Sequence, residues 1–169
     1  LFDPLKLRAI NAAYIRALPA EEFRRLADPF IDSAVHCDID RDLLCANLQP
    51  RCEVLEDIPP QLDFFDAVLP IDAEMYRNKK QKTTPESAKE ALTALLPVLE
   101  AQTDWTRDAI FDACKTLAEQ MEKKNGWLLF PLGIALSGKA RTPGGGTDLA
   151  AMMGREETLK RVKDALGKL

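Results

Sequence analysis

Apolar side chains recur at three- and four-residue intervals along most of the chain, and no stretch alternates between apolar and polar positions. This pattern predicts an all-α fold. The first helix is expected to begin at Asp3-Pro4, because Asp is a favourable N-cap and Pro is tolerated in the first turn. It is expected to end before Pro19. Its repeating apolar positions, which predict the face turned to the core, are Leu7, Ile10, Tyr14 and Ala17.

Two more helices are predicted in the first part of the chain. One runs from about Glu21 towards Asp28-Pro29, and the next runs from about Asp40 to Leu55 with a kink at Pro50. The longer helix has apolar residues at i, i+3, i+7 and i+10, which is the spacing of one buried face. These residues are Cys45, Leu48, Cys52 and Leu55.

The second part begins with a helix start at Thr84-Pro85. Helices are predicted over 85–100 and about 105–123, the latter capped by Asp104 and ended by Asn125-Gly126. Residues 127–136 are apolar almost all round, so they should form a central, buried helix.

A short helix capped by Thr147 or Asp148 should end at Gly154 and lead into the last helix. The last helix is predicted to turn Leu159, Val162 and Leu166 inward and Lys160, Arg161 and Lys163 outward. The fold class is therefore all-α with two consecutive helical subdomains, residues 1–77 and 78–169.

Charge is unevenly distributed along the chain, whose formal net charge is −4. Residues 1–76 carry 7 basic and 15 acidic side chains, whereas the stretch RNKKQK at 77–82 carries four basic side chains and no acidic one. Nucleic-acid binding depends largely on phosphate neutralisation and is recognised from local patches rather than totals. Charge alone leaves two interpretations open, a nucleic-acid contact or a solvated loop.

Little catalytic machinery is visible. The single histidine, His36, and four cysteines without a C-x-x-C pair do not predict a metal site, and buried free thiols in a reducing cytosol are the expected alternative. The sequence has no G-x-x-x-x-G-K-[ST] loop. No apolar run approaches the ~18 residues of a membrane span. A binding module is favoured over a small enzyme with a cysteine nucleophile.

Two segments near the C-terminus carry a recognisable pattern. Residues 136–144 read L-S-G-K-A-R-T-P-G, and residues 154–161 read G-R-E-E-T-L-K-R. They resemble two motifs of the anticodon-binding region of bacterial glutamate–tRNA ligases, L-x-G-K-x-x-(S/T)-P-G and G-(K/R)-E-x-(S/T)-L-x-R. Shorter segments resemble clostridial members in the same order, so the resemblance covers essentially the whole chain. These shorter segments lie at 48–51, 58–59, 63–65, 79–83 and 96–99.

The resemblance implies a class I aminoacyl-tRNA synthetase that attaches glutamate to tRNA using ATP and Mg²⁺. That chemistry uses HIGH-like and KMSKS-like motifs, which are absent here, so this piece is expected to bind no cofactor and to be inactive alone. The implied partners are tRNA(Glu), with tRNA(Gln) left open, and the N-terminal catalytic domain of the same polypeptide, in the cytoplasm. The alternative is a helical protein–protein interaction module without nucleic-acid binding.

The resemblance also implies roles for individual residues. Arg51 matches an arginine that reads the third anticodon base, and at ~100° per residue it would lie at the edge of the core face of the predicted third helix. Thr142 and Pro143 match a loop that contacts the first base, and Gly133 stands where the family often has an arginine for that base. Further tRNA contacts are expected from Lys79, Lys80, Lys82, Lys139 and Arg141.

Overall fold

The computed structural model describes residues 3–169, which form eight α-helices and four short 3₁₀ turns. Within this range no β-strand occurs, and the one β-type pairing is an isolated bridge between Asn78 and Thr83. The prediction of an all-α fold is confirmed. The described chain separates into two compact units, one ending at Ala67 and one beginning at Val68. The segment 68–77, assigned by sequence to the first subdomain, thus packs with the second unit.

The first unit contains three α-helices and three 3₁₀ turns. The α-helices are α1 (Pro4–Ala17), α2 (Ala20–Ala34) and α3 (Arg41–Leu48), and the turns are Gln49–Arg51, Leu55–Asp57 and Pro59–Leu62. Phe23, Ala27 and Ile31 form the buried face of α2. They lie in the core of the unit with Leu44 of α3 and Phe64, all of them fully buried.

The predicted start of α1 is confirmed, but its predicted core face is wrong. Asp3 caps the helix, because its Oδ1 accepts the Leu5 N–H at 3.0 Å. The buried residues of α1 are Ala12 and Ile15. Leu7, Ile10 and Tyr14 are 50%, 68% and 65% exposed, and Ala17 is exposed as well. Periodicity finds an apolar face, but it does not say which face a neighbouring element covers.

The second helix is longer than predicted. It continues through Pro29 to Ala34, instead of ending at Asp28-Pro29. Pro29 and Arg25, whose carbonyl loses its helical partner, are both exposed, so water can satisfy that carbonyl. The buried Ile31, one turn after Ala27 on the same face, holds the continuation in the core.

The second unit contains five α-helices after a 3₁₀ turn at Ala73–Tyr76. They are α4 (Pro85–Ala101), α5 (Arg107–Gln120), α6 (Asn125–Ser137), α7 (Gly146–Met153) and α8 (Arg155–Gly167). Helix α6 contacts each of the other four, so the prediction of a central, buried helix is confirmed. The predicted start of α4 is also confirmed, since Thr84 Oγ1 accepts the Ser87 N–H at 3.0 Å.

Two helix boundaries around α6 differ from prediction. Asn125-Gly126 forms the first turn of α6, not the end of α5. Helix α5 stops at Gln120, and the reversal is made by Glu122, whose φ is 56°. The N-cap of α5 is Thr106 rather than the predicted Asp104.

The start of α7 also differs. Gly145 is its N-cap, and the carboxylate of Asp148 accepts the Gly145 N–H at 2.9 Å. Asp148 therefore lies within the first turn of α7 and accepts a hydrogen bond from the N-cap residue, instead of being the N-cap itself.

Candidate nucleic-acid interface

The end of α3 determines where Arg51 lies. Pro50 has no N–H to donate to the carbonyl of Ala46, so the α-helix ends at Leu48 and a 3₁₀ turn, Gln49–Arg51, follows. The predicted helix from Asp40 to Leu55 is therefore wrong beyond Leu48, and so is the helical angle assigned to Arg51. Cys45, Leu48 and Cys52 of the predicted stripe are buried, whereas Leu55 is only partly buried.

The 3₁₀ turn that carries Arg51 is held in place by Gln49. Its Nε2 donates hydrogen bonds to the carbonyls of Ile15 and Leu18, both at 2.9 Å, which ties the turn to the end of α1. The Arg51 side chain is exposed and forms no ion pair within residues 3–169. In contrast, four other arginines of this unit pair with carboxylates, namely Arg8, Arg24, Arg25 and Arg41.

The loop that carries Lys139, Arg141 and Thr142 is anchored at the C-terminus of α6. Gly138 ends the helix with φ 76°, and a Cβ there would lie 2.5 Å from the carbonyl oxygen of Leu69. Only glycine fits this position, because the conformation is left-handed and the space is filled. The Ser137 carbonyl accepts the Leu69 N–H at 3.1 Å, and the Ser137 hydroxyl accepts the Lys139 N–H at 3.0 Å.

Within the loop, Thr142 and Pro143 differ in accessibility. Thr142 is partly buried, and its hydroxyl donates to the carbonyl of Gly144 at 2.7 Å. The Gly144 N–H in turn donates to the Thr142 carbonyl at 2.8 Å, which closes a tight turn. Pro143 is buried. Arg141 is exposed and Lys139 is partly buried, so the outer surface of the loop is basic.

Gly133 lies on α6 opposite the start of α7. A Cβ at this position would meet only the backbone nitrogen of Gly146, at 4.0 Å, which is ordinary van der Waals contact. The position is partly exposed. The backbone therefore has room for a side chain here, although glycine supplies none.

Arg161 lies on the opposite side of α8 from the side that the sequence predicts. It is only 3% exposed, although an outward position was predicted. Its Nη1 donates to the carbonyl of Leu136 at 2.6 Å, and its Nε donates to Glu157 Oε1 at 2.8 Å. Arg161 thus satisfies a carbonyl of the last turn of α6, directly before the loop of Lys139 and Arg141. The Glu157–Arg161 spacing of i, i+4 was the available signal, but such pairs usually lie on a surface.

The basic stretch of residues 77–82 lies at the other end of α6. It forms a turn closed by two backbone hydrogen bonds between Asn78 and Thr83, at 3.1 and 3.0 Å. The side chain of Gln81 lies over Gly126 in the first turn of α6. Gly126 and Gly138 are twelve residues apart, which is about 18 Å along a helix. The structure therefore does not bring Lys79, Lys80 and Lys82 together with the loop that carries Thr142.

The titratable groups do not suggest catalysis. Burial raises the pKa of Cys45 and Cys52 to about 11 and that of Cys114 to about 12, so three thiols are held protonated. Cys37 is exposed, which differs from the prediction of buried thiols. In residues 3–169 no group of three or more His, Cys, Asp and Glu side chains is arranged to hold a metal ion.

His36 is engaged by a carboxylate. The His36 side chain, whose Nδ1 lies 2.7 Å from Asp66 Oδ2, lowers the pKa of Asp66 to about 2. The backbone N–H groups of His36 and Cys37 also donate to Asp66, at 2.7 and 3.1 Å. These hydrogen bonds connect the loop between α2 and α3 to Asp66, which lies at the end of the first unit.

Comparison with known proteins defines the class of this fold. The family model described as "Anticodon binding domain" matches residues 10–166, and the chain belongs to that family. Its relatives specify the kind of enzyme in which the domain occurs. Over all 169 residues the chain is 43% identical to a glutamate–tRNA ligase of Clostridium botulinum (strain Hall) and 41% identical to that of Clostridium tetani. It spans 35% of the length of each.

A solved structure supports the fold. The glutamate tRNA ligase from Elizabethkingia meningosepticum matches with a TM-score of 0.82 at 23% identity, covering 99% of this chain and 33% of that one. The resemblance inferred from the sequence motifs is therefore confirmed, and the alternative of a protein–protein interaction module is not favoured. None of the described helices is long and apolar enough to cross a membrane.

Proposed function

We propose that this chain recognises the anticodon of tRNA as the C-terminal part of a glutamate–tRNA ligase. The observation that carries the proposal is the match of an anticodon-binding family model to residues 10–166, together with 43% identity over the whole chain to clostridial glutamate–tRNA ligases. The partners are tRNA(Glu), with tRNA(Gln) as a second candidate, and the catalytic domain of the same polypeptide. The place of action is the cytoplasm.

Glutamate activation by ATP and Mg²⁺ belongs, in this proposal, to the rest of the longer ligase. The chain spans 35% of the length of its clostridial relatives. In residues 3–169 no group of three or more His, Cys, Asp and Glu side chains is arranged to hold a metal ion. In this proposal the chain's own contribution is the binding of tRNA and the discrimination between tRNAs. It should form no glutamyl-tRNA when supplied with glutamate, ATP and tRNA.

Arg51 is proposed to read the third anticodon base. Its guanidinium is exposed and forms no internal ion pair within residues 3–169, so no internal contact must be broken for it to meet a base. Gln49 fixes the backbone beside it through two hydrogen bonds. A planar guanidinium can donate two parallel hydrogen bonds to a base edge, whereas an ammonium group cannot.

The loop after α6 is proposed to contact the first anticodon base. The Thr142 hydroxyl donates its hydrogen within the loop, so its oxygen is left to accept a hydrogen bond from a base. Pro143 is buried, and its role in this proposal is to hold the shape of the turn. Lys139 and Arg141 supply positive charge for neighbouring phosphates, and Gly133 supplies no base contact.

The test compares tRNA(Glu) transcripts with C or G as the third anticodon base. Arg51→Ala should weaken binding of the C transcript by ~1–3 kcal/mol, the scale of a bidentate base contact, and should reduce the C-over-G preference. Arg51→Lys keeps the charge without the fork, so it should lose the preference while retaining the salt dependence. Fluorescence anisotropy at several salt concentrations measures both quantities.

Arg16→Ala is the matched control, because Arg16 is also exposed and forms no ion pair within the described residues. It should leave the C-over-G preference unchanged. An unchanged preference in Arg51→Ala would show that another residue reads this base. Absence of any salt-dependent tRNA binding by the wild-type chain and by a ligase containing it would contradict the proposed function.

A further inference from the structure

Five lysines from two distant segments meet at the N-terminal end of α6. Three lie on the turn of residues 77–83, and two directly precede the helix. We call them the α6 lysine cluster: Lys79, Lys80, Lys82, Lys123 and Lys124. All five are exposed, and in the part of the chain that the structure describes none pairs with a carboxylate.

The turn that carries Lys79, Lys80 and Lys82 is fixed by several hydrogen bonds. Besides the two backbone hydrogen bonds between Asn78 and Thr83, Asn78 Oδ1 accepts the Gln81 N–H at 3.0 Å. The Thr83 hydroxyl donates to the carbonyl of Tyr76 at 2.7 Å, and Thr83 is only 2% exposed. These bonds fix the backbone, so the lysines extend from a defined point.

The contact between the two segments is made by Gln81. A Cβ on Gly126 would clash with Gln81 Oε1, so this side chain occupies the space directly above the first turn of α6. Lys123 and Lys124 stand immediately before that turn. The Nζ of Lys123 lies 5.0 Å from the centroid of the Trp127 ring, which fixes its direction.

The end of α6 adds to the positive potential of the cluster. Its N-cap is Lys124, and no side chain caps the helix. The free N–H groups of the first turn and the helix dipole favour an anion there. Ammonium groups act as point charges, which suits phosphate groups in variable positions rather than a base edge that needs a fork.

We propose that the α6 lysine cluster is a phosphate-backbone site for RNA, separate from the loop of Thr142. The inference rests on the proposed function, because it takes the tRNA as the source of the phosphates. The two ends of α6 are about 18 Å apart, a distance that a few successive nucleotides of one RNA strand can span. One RNA can therefore contact both ends, with the cluster holding its backbone and the loop facing its bases.

The test removes the two lysines that sequence patterns did not mark. The double variant Lys123→Gln/Lys124→Gln should raise the Kd for tRNA(Glu) by about three- to tenfold at ~0.1 M salt. The slope of log K against log[salt], with K the association constant, should become less negative by about 1.5, because each lost phosphate contact removes ~0.7–0.9 from its magnitude. The preference for C over G at the third anticodon base should stay the same, since the cluster reads no base.

Lys115→Gln/Lys168→Gln is the matched control, which removes the same charge from two exposed positions outside the cluster. Because Lys123 contacts Trp127, its loss can affect folding. Lys80→Gln/Lys124→Gln avoids that contact and should give the same loss of affinity and slope.

The possible results separate the two proposals. If the wild-type chain binds tRNA and all three double variants have equal slopes, the cluster does not bind backbone and the proposed function stands. If the wild-type chain shows no salt-dependent binding of tRNA, the proposed function itself fails. Binding of polyglutamate as tight as that of tRNA, with the same loss in the variants, would overturn the assignment to RNA in favour of an acidic protein.

Discussion

Two glycines at the crossing of α6 and α7 should respond in opposite directions to the same added methyl group. In Gly146→Ala the new Cβ would lie 2.9 Å from the carbonyl oxygen of Leu129 and 3.1 Å from Leu132 Cβ. The first contact is with backbone, so the start of α7 must move away from α6. Overpacking of this kind costs ~1–3 kcal/mol of unfolding free energy.

In Gly133→Ala the new Cβ would meet only the Gly146 nitrogen, at 4.0 Å. No neighbour has to move, and alanine in a helix interior is favoured over glycine by ~0.8–1.0 kcal/mol. We therefore expect Gly133→Ala to stabilise the second unit and Gly146→Ala to destabilise it. The difference between the two variants should be about 2–4 kcal/mol.

Urea unfolding followed by tryptophan fluorescence measures this difference in unfolding free energy for the second unit of the chain. Both tryptophans, Trp105 and Trp127, lie in the unit that begins at Val68. Trp105 Nε1 donates to the carbonyl of Ala150 in α7 at 2.9 Å, so it reports on α7 directly. Comparison of the midpoints at unchanged slope gives the change in stability. A stabilised Gly146→Ala or a destabilised Gly133→Ala would refute the packing described for these two helices.

Three further outcomes are expected from groups described above. Arg161→Met should cost ~1–3 kcal/mol, because it leaves the buried Leu136 carbonyl without its donor, and it should weaken tRNA binding through the neighbouring loop; a neutral effect in urea unfolding would contradict this role. A thiol reagent at neutral pH should modify one cysteine, Cys37, in the native protein and all four in denaturant, and mass spectrometry identifies the site. The Asp66 carboxyl should titrate at about 2 in an NMR experiment. Because this pKa is lowered on folding, the stability it contributes is present above pH ~4 and is lost as the pH falls towards 2; His36→Ala should move the titration back towards the ordinary range of Asp.

Local signals in the sequence predicted much of this fold, and the errors about which side chains are buried arose where distant residues meet. The caps at Asp3 and Thr84 follow from short-range hydrogen bonding, so they could be predicted. The exposed apolar face of α1 could not, because burial depends on which element packs against the helix. The buried position of Arg161 depends on a carbonyl 25 residues away.

The candidate site shows one error of local geometry and one contact that depends on tertiary structure. Sequence motifs named Arg51 and the Thr142 loop, but the helical geometry assigned to Arg51 failed where Pro50 changes the turn. The basic run was recognised from composition. Its meeting with Lys123 and Lys124 at the first turn of α6 depends on a tertiary contact of Gln81, which no pattern along the chain contains.

The uncovered side of α1 has a consequence for how the chain behaves in concentrated solution. Leu7, Ile10 and Tyr14 form an apolar strip on a unit where residues 1–67 hold 7 basic and 13 acidic side chains. Copies of the unit repel one another through this charge at low ionic strength, and the repulsion is screened within about 8 Å at ~0.15 M salt. Added salt should therefore promote colloidal association of the chain through this strip while it releases a bound polyanion, so the two processes respond to ionic strength with opposite sign.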